Sequence, residues 1–415
     1  MNSFLKELQE KNLIQDISNI EKIENSLKNK MGIYVGFDPS AKSIHLGNFV
    51  VINVLLIAKK HRIPTVALIG GATGGIGDPS GKKSERILID EDTLKKNTEA
   101  IKKQIKHFLP DAKIVNNSDF YKNQSFIDFL RDVGKFIQVS YMLSKEIVKN
   151  RLESGISFTE FAYSLIQAND FHYLFKNHNV GIQFGGSDQW GNITTGLELI
   201  RKRNGENSFS GGFTIKLLLK SDGTKFGKSE QGAIYLDPSL TSPYTMYQFL
   251  LNQNDSDLLN LFNFISDLGI KEILEIITKH SENPEKRYGQ KMLANNIVNR
   301  IHGKNALNEV ENISNILFKN GKINDLSKSE VSIIINSFEV NHVNFSNDEK
   351  IIDILDRAKI FKSKNEIRKL IEQKGLVVGA EIITDFDQIL KDSNLTHGVI
   401  FARQGKKKIF IIKKS

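Results

Sequence analysis

Three segments carry residue types that handle phosphate. The first is Gly36-Phe37-Asp38-Pro39-Ser40-Ala41-Lys42-Ser43-Ile44-His45-Leu46-Gly47-Asn48. It leaves an apolar run and enters an apolar helical pattern. That geometry aims free backbone N–H groups and the positive helix end at an anion. Gly47 would let a nucleotide approach the backbone closely, and His45 could hydrogen-bond phosphate oxygens. A lone histidine is more commonly a packed or surface residue; its place at a strand-to-helix junction favours a working one. The second segment, Gly70 to Lys83, is rich in glycine but fits neither standard nucleotide pattern. Ile76 stands where a P-loop needs its first glycine, and Lys83 where it needs a hydroxyl. Ser80 stands where a dinucleotide fingerprint needs its third glycine. A structural turn explains it equally well, although Lys82, Lys83 and Arg86 lie beside it. The third is Lys220 to Glu230, where Lys225 and Lys228 bracket Phe226-Gly227. Mobile lysines of this kind can close over a triphosphate and stabilise leaving pyrophosphate. Two lysines in a solvated loop are the plainer reading.

A further constellation lies on a helical stretch. Tyr163, Gln167 and Asp170 fall at i, i+4 and i+7 and share one face. Phe161, Leu165 and Ala168 line another and can anchor it. Polar residues on one face are usually just the solvated side, so spacing alone does not decide.

The elements that must position these residues alternate. Apolar β runs are expected at Ile33–Phe37, Thr65–Gly70, Lys113–Val115, Val180–Gly185 and Phe213–Leu218. Helical patterns cover 1–30, Leu46–Lys60, 91–109, 124–176 and Gly191–Arg203. Such alternation predicts an α/β fold with a Rossmann-like parallel sheet wrapped by helices. From about residue 236 the pattern is helical, opening on Ser242-Pro243 as N-cap and first helical position. The expected domains are 1–235 as catalytic unit, 236–320 as α-helical domain, 321–348 as linker, and 349–415 as a small α+β domain.

Composition narrows the function classes. The chain has 415 residues, with 57 Lys and Arg against 48 Asp and Glu, for a net charge of +9. Residues 349–415 hold 15 basic and 9 acidic residues, so +6 of that excess lies there. This asymmetry points to a nucleic-acid module. No cysteine is present, which excludes disulfides, thiolate zinc sites and a catalytic thiol. No histidine pair has ligand spacing, and no metal site is expected. The longest apolar stretch, Val50 to Ala58, is interrupted by Asn53 and falls short of the roughly 20 residues that span a bilayer. With no signal segment in the first 30 residues, the expectation is a soluble cytoplasmic protein without membrane association.

Together the loops resemble a known family. His45-Leu46-Gly47-Asn48 resembles the HIGH signature of class I aminoacyl-tRNA synthetases, and Lys225-Phe226-Gly227-Lys228-Ser229 resembles their KMSKS loop. Finer motifs are similar to bacterial-type tyrosyl-tRNA synthetases. They are Tyr34-Val35-Gly36-Phe37-Asp38-Pro39, Gly77-Asp78-Pro79-Ser80-Gly81-Lys82, Ser157-Phe158-Thr159-Glu160-Phe161-Ala162-Tyr163 and Gly185-Gly186-Ser187-Asp188-Gln189-Trp190-Gly191-Asn192. The similarity spans essentially the whole chain, and the ordered set is far more specific than any one motif.

The resemblance implies a tyrosine–tRNA ligase that uses ATP with Mg2+ and holds no tightly bound cofactor. It implies that Tyr34 and Asp170 meet the substrate phenol. Tyr163, Gln167 and Asp78 would hold its ammonium, with Gln189 near the carboxylate and adenylate. Gly36, Asp38, Gly47, Asn48, Gly186 and Asp188 would approach ATP. Ser40, His45, Lys82, Arg86, Lys225 and Lys228 would face the phosphates. Residues 349–415 resemble an S4-type RNA-binding domain around Ser363 to Ile371, where Arg368 and Lys369 would contact tRNA(Tyr). A homodimer is implied, with the apolar stretch 126–142 as interface. Two positions depart from the pattern: Asn48 replaces the second signature histidine, and Ser140 stands where relatives often have Asn. An amide can replace an imidazole as donor, so activity is expected to survive. The rival readings are the tryptophan enzyme of the same fold, an RNA-binding protein that lost catalysis, and a general nucleotidyltransferase.

Overall fold

The structure is a computed structural model. It describes the whole chain except residues 82–87, 153–154, 230–231, 319–320 and 406–407, and except the side chains of Ile147, Lys228 and Ser229. By internal contacts the chain groups into two units. One comprises Met1–Asp237 with Gln253–Leu293, the other Pro238–Asn252 with Ala294–Ser415.

The first unit is built on a sheet of β1 (Ile14–Ile17), β2 (Gly32–Phe37), β3 (Thr65–Ile69), β4 (Lys113–Asn116), β5 (Val180–Gly186) and β6 (Gly211–Ile215). The spatial order is β1-β6-β5-β2-β3-β4. All pairs are parallel except β1 with β6. β3 is buried along its whole length, and β2 and β5 almost so. That is why they appear in the sequence as continuous apolar runs instead of alternating ones. Connections leave β2 towards β3 on one side and β5 towards β6 on the other. The strand order therefore reverses between β2 and β5, and an open α/β sheet binds ligands in the crevice at the carboxyl ends of such a pair.

The helix Phe49–Lys60 is buried on nearly all sides, including Phe49, Val50, Ile52, Val54, Leu55, Ile57 and Ala58. Its one interior polar residue, Asn53, is satisfied by donating to the Phe264 carbonyl at 2.8 Å. The helix Phe158–His178 starts at Ser157, whose hydroxyl accepts from the Glu160 amide, and stops where Asn179 turns left-handed at φ 51°. Phe171 and Leu174 fasten it to Tyr34, Val66, Leu68 and Val180 of the sheet. Its polar face is thereby turned towards the β2–β5 crevice and not towards solvent.

Two local expectations change. Residues 1–30 are not helical throughout: Ile14–Ile17 is an edge strand, set off by Asn12 at φ 55° and tied to β6 by Thr214 donating to Asp16 Oδ2 at 2.7 Å. The stretch 124–176 is broken into Phe126–Asp132, Val139–Leu143, Glu146–Leu152 and Phe158–His178.

In the second unit, helices Ile351–Arg357 and Lys364–Glu372 pack their apolar faces on a mixed sheet. Its order is Glu381–Ile382, Leu376–Val378, Val399–Gln404, Lys408–Lys413, Val340–His342. Val340–His342, inside the expected linker, is a strand parallel to Lys408–Lys413. Among the described residues no helix is long and apolar enough to cross a membrane.

Candidate active site

A cavity of ≈ 470 Å³ opens at the carboxyl ends of β2 and β5. β2 supplies Tyr34 and Gly36, and the loop after it supplies Asp38, Ser40, His45, Gly47 and Asn48. The Gly-rich segment supplies Asp78. The helix Phe158–His178 supplies Tyr163, Gln167 and Asp170; the turn after β5 supplies Gly186, Asp188 and Gln189; and Lys225 reaches the mouth. All these sequence-selected residues line one cavity. Lys82 and Arg86 lie outside the described residues, as does the side chain of Lys228. Arg368 and Lys369 belong to the second unit, where both are exposed on the helix Lys364–Glu372.

Asp170 forms the deep end and is buried. Tyr121 Oη donates to its Oδ1 at 2.6 Å, and Asn117 Nδ2 donates to its Oδ2 at 2.9 Å. Burial pushes the carboxyl up to about 7; the bonds from Asn117 and Tyr121 oppose that rise, and the charge of Asp38 adds to it. Beside it Tyr34 packs on Phe171 with ring centroids 5.2 Å apart. The Tyr34 hydroxyl is buried and has no hydrogen-bond partner among the described residues. An unpaired buried hydroxyl is costly unless a ligand completes it. The Asp170 carboxyl and the Tyr34 hydroxyl together suit a group that both donates and accepts one hydrogen bond, which is what a hydroxyl does.

The middle of the cavity is a connected polar network. Tyr163 Oη donates to Asp38 Oδ2 at 2.9 Å, and Thr73 Oγ1 donates to Asp38 Oδ1 at 2.7 Å. Gln189 Nε2 donates to Asp78 Oδ2 at 2.6 Å, and Gln167 Nε2 donates to Gln189 Oε1 at 3.3 Å. Asn192 Nδ2 stands 3.1 Å from Gln189 Oε1 and 3.2 Å from Ser80 Oγ. Burial, followed by the charges of Asp38 and Asp78, pushes the Tyr163 phenol well above its ordinary value, so it remains a donor. Two carboxylates with oriented amides suit an ammonium group. The Asp38 carboxylate, expected beside a nucleotide, stands between Tyr163 and Thr73.

At the mouth the two signature loops meet. Leu46 N donates to the Ile234 carbonyl at 2.7 Å, and Leu236 N to the Ile44 carbonyl at 2.9 Å. Gly227, at φ 85°, lies against the backbone of Gly47: a Cβ built on Gly227 would sit 2.5 Å from Gly47 N. A Cβ on Gly47 would sit 2.6 Å from the Phe226 carbonyl oxygen. Both glycines are required by this approach. Gly36 differs, since a Cβ there would meet nothing within 4 Å, leaving open cavity above the strand. The helix Phe49–Lys60 begins at this mouth, directly after the short turn Leu46–Asn48, so the positive end of its dipole lies there. Among the described residues no cluster of three or more His, Asp or Glu could hold a metal ion.

Sequence reasoning missed Thr73, Asn117, Tyr121, Gln183 and Asn192. Asn117 follows β4 directly, so the rule that crevices form at the carboxyl ends of strands could have found it. Gln183 sits within the apolar run of β5 and faces the cavity with no partner for its Oε1 among the described residues. Nothing in the local pattern singles out Tyr121.

The model of the family described as tRNA synthetases class I (W and Y) matches residues 25–319. A tyrosine–tRNA ligase of Ureaplasma urealyticum is 46% identical over 99% of each chain. One of Mycoplasmoides gallisepticum is 42% identical, again over 99% of each. A C-terminally truncated Aspergillus nidulans mitochondrial tyrosyl-tRNA synthetase is 31% identical with a TM-score of 0.68, covering 77% of this chain and 95% of that one. With the two signature loops joined at the mouth of a switch-point crevice, the chain belongs to the class I tRNA synthetases of the tryptophan and tyrosine type, and within them to the bacterial-type tyrosyl group.

Proposed function

We propose that the chain activates tyrosine with MgATP to tyrosyl-adenylate and pyrophosphate, then transfers the tyrosyl group to the terminal ribose hydroxyl of tRNA(Tyr). The observation that carries the choice of amino acid is the buried pair of Asp170 and the partnerless Tyr34 hydroxyl. A phenol OH donates to the first and accepts from the second. The indole N–H of tryptophan is a donor only and would leave Tyr34 unpaired.

In this reading Tyr163, Gln167 and Asp78 hold the ammonium, and Gln189 turns the carboxylate towards ATP. The carboxylate is already a nucleophile and needs no general base. Its oxygen attacks the α-phosphorus, the bond to the bridging oxygen breaks, and pyrophosphate leaves with the electron pair. The protein contributes position and charge stabilisation. Gly36, Asp38, Gly47, Asn48, Gly186 and Asp188 surround the nucleotide. Ser40, His45, Lys82, Arg86, Lys225 and Lys228 face its phosphates, and the magnesium arrives with them. The decisive measurement is tyrosine-dependent ATP–pyrophosphate exchange with phenylalanine and tryptophan as controls. Exchange driven by tryptophan and not tyrosine would overturn the reading, and exchange without charging of tRNA would restrict it to nucleotidyl transfer.

The remaining assignments follow the family. Residues 236–320 serve the anticodon side of the tRNA, 321–348 link, and 349–415 form an S4-like RNA-binding domain using Arg368 and Lys369. The site of action is the cytoplasm, where tRNA is charged. A homodimer is supported by the exposed apolar residues Phe126, Ile127, Val139 and Phe158, each more than 60% exposed. Such a patch usually marks an interface. Ile127→Asp should give a monomer in sedimentation velocity; a wild-type chain that sediments as a monomer at micromolar concentration would remove the dimer.

A further inference from the structure

Asp170 takes two donors, and one of them belongs to no motif legible in the sequence. Tyr121 closes the short helix Ser118–Tyr121. Its Oη stands 2.6 Å from Asp170 Oδ1 and 3.0 Å from the Ile166 carbonyl oxygen. Asn169 Nδ2 approaches Tyr121 Oη at 3.5 Å as a donor. A phenol has one proton and two lone pairs, so Tyr121 serves one of its two acceptors at a time. Two fully bonded arrangements result. With Asp170 ionised, Tyr121 donates to Oδ1. With Asp170 neutral, the carboxyl proton sits on Oδ1 and is donated to Tyr121 Oη, whose own proton turns to the Ile166 carbonyl. In both, Oδ2 carries among the described residues only the bond from Asn117 and keeps a lone pair for a ligand.

We infer that Tyr121 is a positioning residue for the amino-acid substrate: it draws the Asp170 proton to Oδ1, so that Oδ2 accepts from the substrate phenol in either protonation state. This rests on the reading of Asp170 as the phenol's acceptor. The titratable groups turned towards Asp170 are Tyr34 from β2, Tyr163 from its own helix, Tyr121 from the short helix, and Asp38 from the loop after β2. Burial pushes the three phenols well above their ordinary range, so they stay neutral. Asp38 is the charged one, and it opposes ionisation. Both states of Asp170 are populated near neutral pH, since its carboxyl lies at about 7.

The test is the pH dependence of kcat/KM for tyrosine in pyrophosphate exchange, from pH 6 to pH 8.5, for the wild type and Tyr121→Phe. Phenylalanine run in parallel removes titrations that belong to ATP. In the wild type the tyrosine-to-phenylalanine ratio stays level across the range. In Tyr121→Phe the carboxyl loses a donor to its charged form, and a proton on Oδ1 loses its Tyr121 acceptor, so the proton is no longer drawn away from Oδ2. The ratio then falls at least about tenfold from pH 8 to pH 6, with the change in KM for tyrosine and kcat held. A variant profile parallel to the wild type, or an equal loss for both amino acids, overturns the role. Should Tyr121→Phe fail to fold, the wild type decides alone, because a ratio that drops as pH falls through 7 is equally fatal. Absence of tyrosine-driven exchange in the wild type would defeat the functional reading itself, whereas tyrosine-specific exchange with an unaltered Tyr121→Phe defeats only Tyr121.

Discussion

Asp170→Ala abolishes selective activation of tyrosine. The variant loses the acceptor for the phenol proton and strands the Asn117 N–H that pointed at it in a buried pocket, while Tyr121 Oη is left with the Ile166 carbonyl. A hydrogen bond to a charged group is worth about 1.5–3 kcal/mol, and a stranded buried group costs a further 1–3 kcal/mol. The expected result is a fall in kcat/KM for tyrosine of about a thousandfold, read by pyrophosphate exchange, with phenylalanine changed far less. An equal loss for both amino acids would show that the substitution had damaged the pocket without removing recognition. Stability separates the two cases. The folded carboxyl is raised to about 7 from its ordinary value of 3.8. Its contribution to stability is therefore full below about pH 4 and is lost as pH rises through about 7. Asp170→Asn should flatten the urea midpoint across that window; a midpoint with the wild-type pH slope would mean that Asp170 is not the group that titrates.

Gly47→Ala stops the chemistry while sparing the amino-acid pocket. The new Cβ would lie 2.6 Å from the Phe226 carbonyl oxygen, a distance that real Cβ atoms do not adopt. The obstructing atom is backbone, so the loop carrying Lys225 and Lys228 has to move as a body. Displacing transition-state charge stabilisers by about 1 Å costs on the order of a hundredfold in rate. The expected pattern is a kcat for exchange lowered about a hundredfold with KM for tyrosine unchanged. A raised KM for tyrosine at normal kcat would mean that the two loops do not act together at the phosphates.

Much of this is legible in the amino-acid sequence. The central strands declared themselves as continuous apolar runs, and the phosphate-type loops stood at strand ends, where an open sheet puts its crevice. The face shared by Tyr163, Gln167 and Asp170 was visible as spacing. Whether that face met solvent or a pocket was not, because the answer lies in how Phe171 and Leu174 seat the helix on the sheet. β1 was missed because a four-residue edge strand, held to β6 by backbone pairing and by Asp16 with Thr214, has almost no pattern of its own. Asn117 and Tyr121 were missed for another reason. Their task is to bond a residue about fifty positions away, and no local regularity records such a partner.

The polar network has a consequence for substrate length. Asn117 Nδ2 touches both Asp170 Oδ2 and Thr73 Oγ1, Thr73 in turn donates to Asp38, and Asp38 receives Tyr163. One unbroken chain of hydrogen bonds thus runs from the group that would meet the phenol to a group that would meet the ammonium. It is a gauge whose span is set by the protein and not by whatever enters. Adding or removing one methylene between ring and ammonium would leave one terminus of the gauge unread, although every functional group of tyrosine would still be present. Selection in this pocket therefore includes a measurement of distance, and widening the pocket for a longer amino acid would require lengthening the Asn117–Thr73–Asp38 run, not merely trimming a wall.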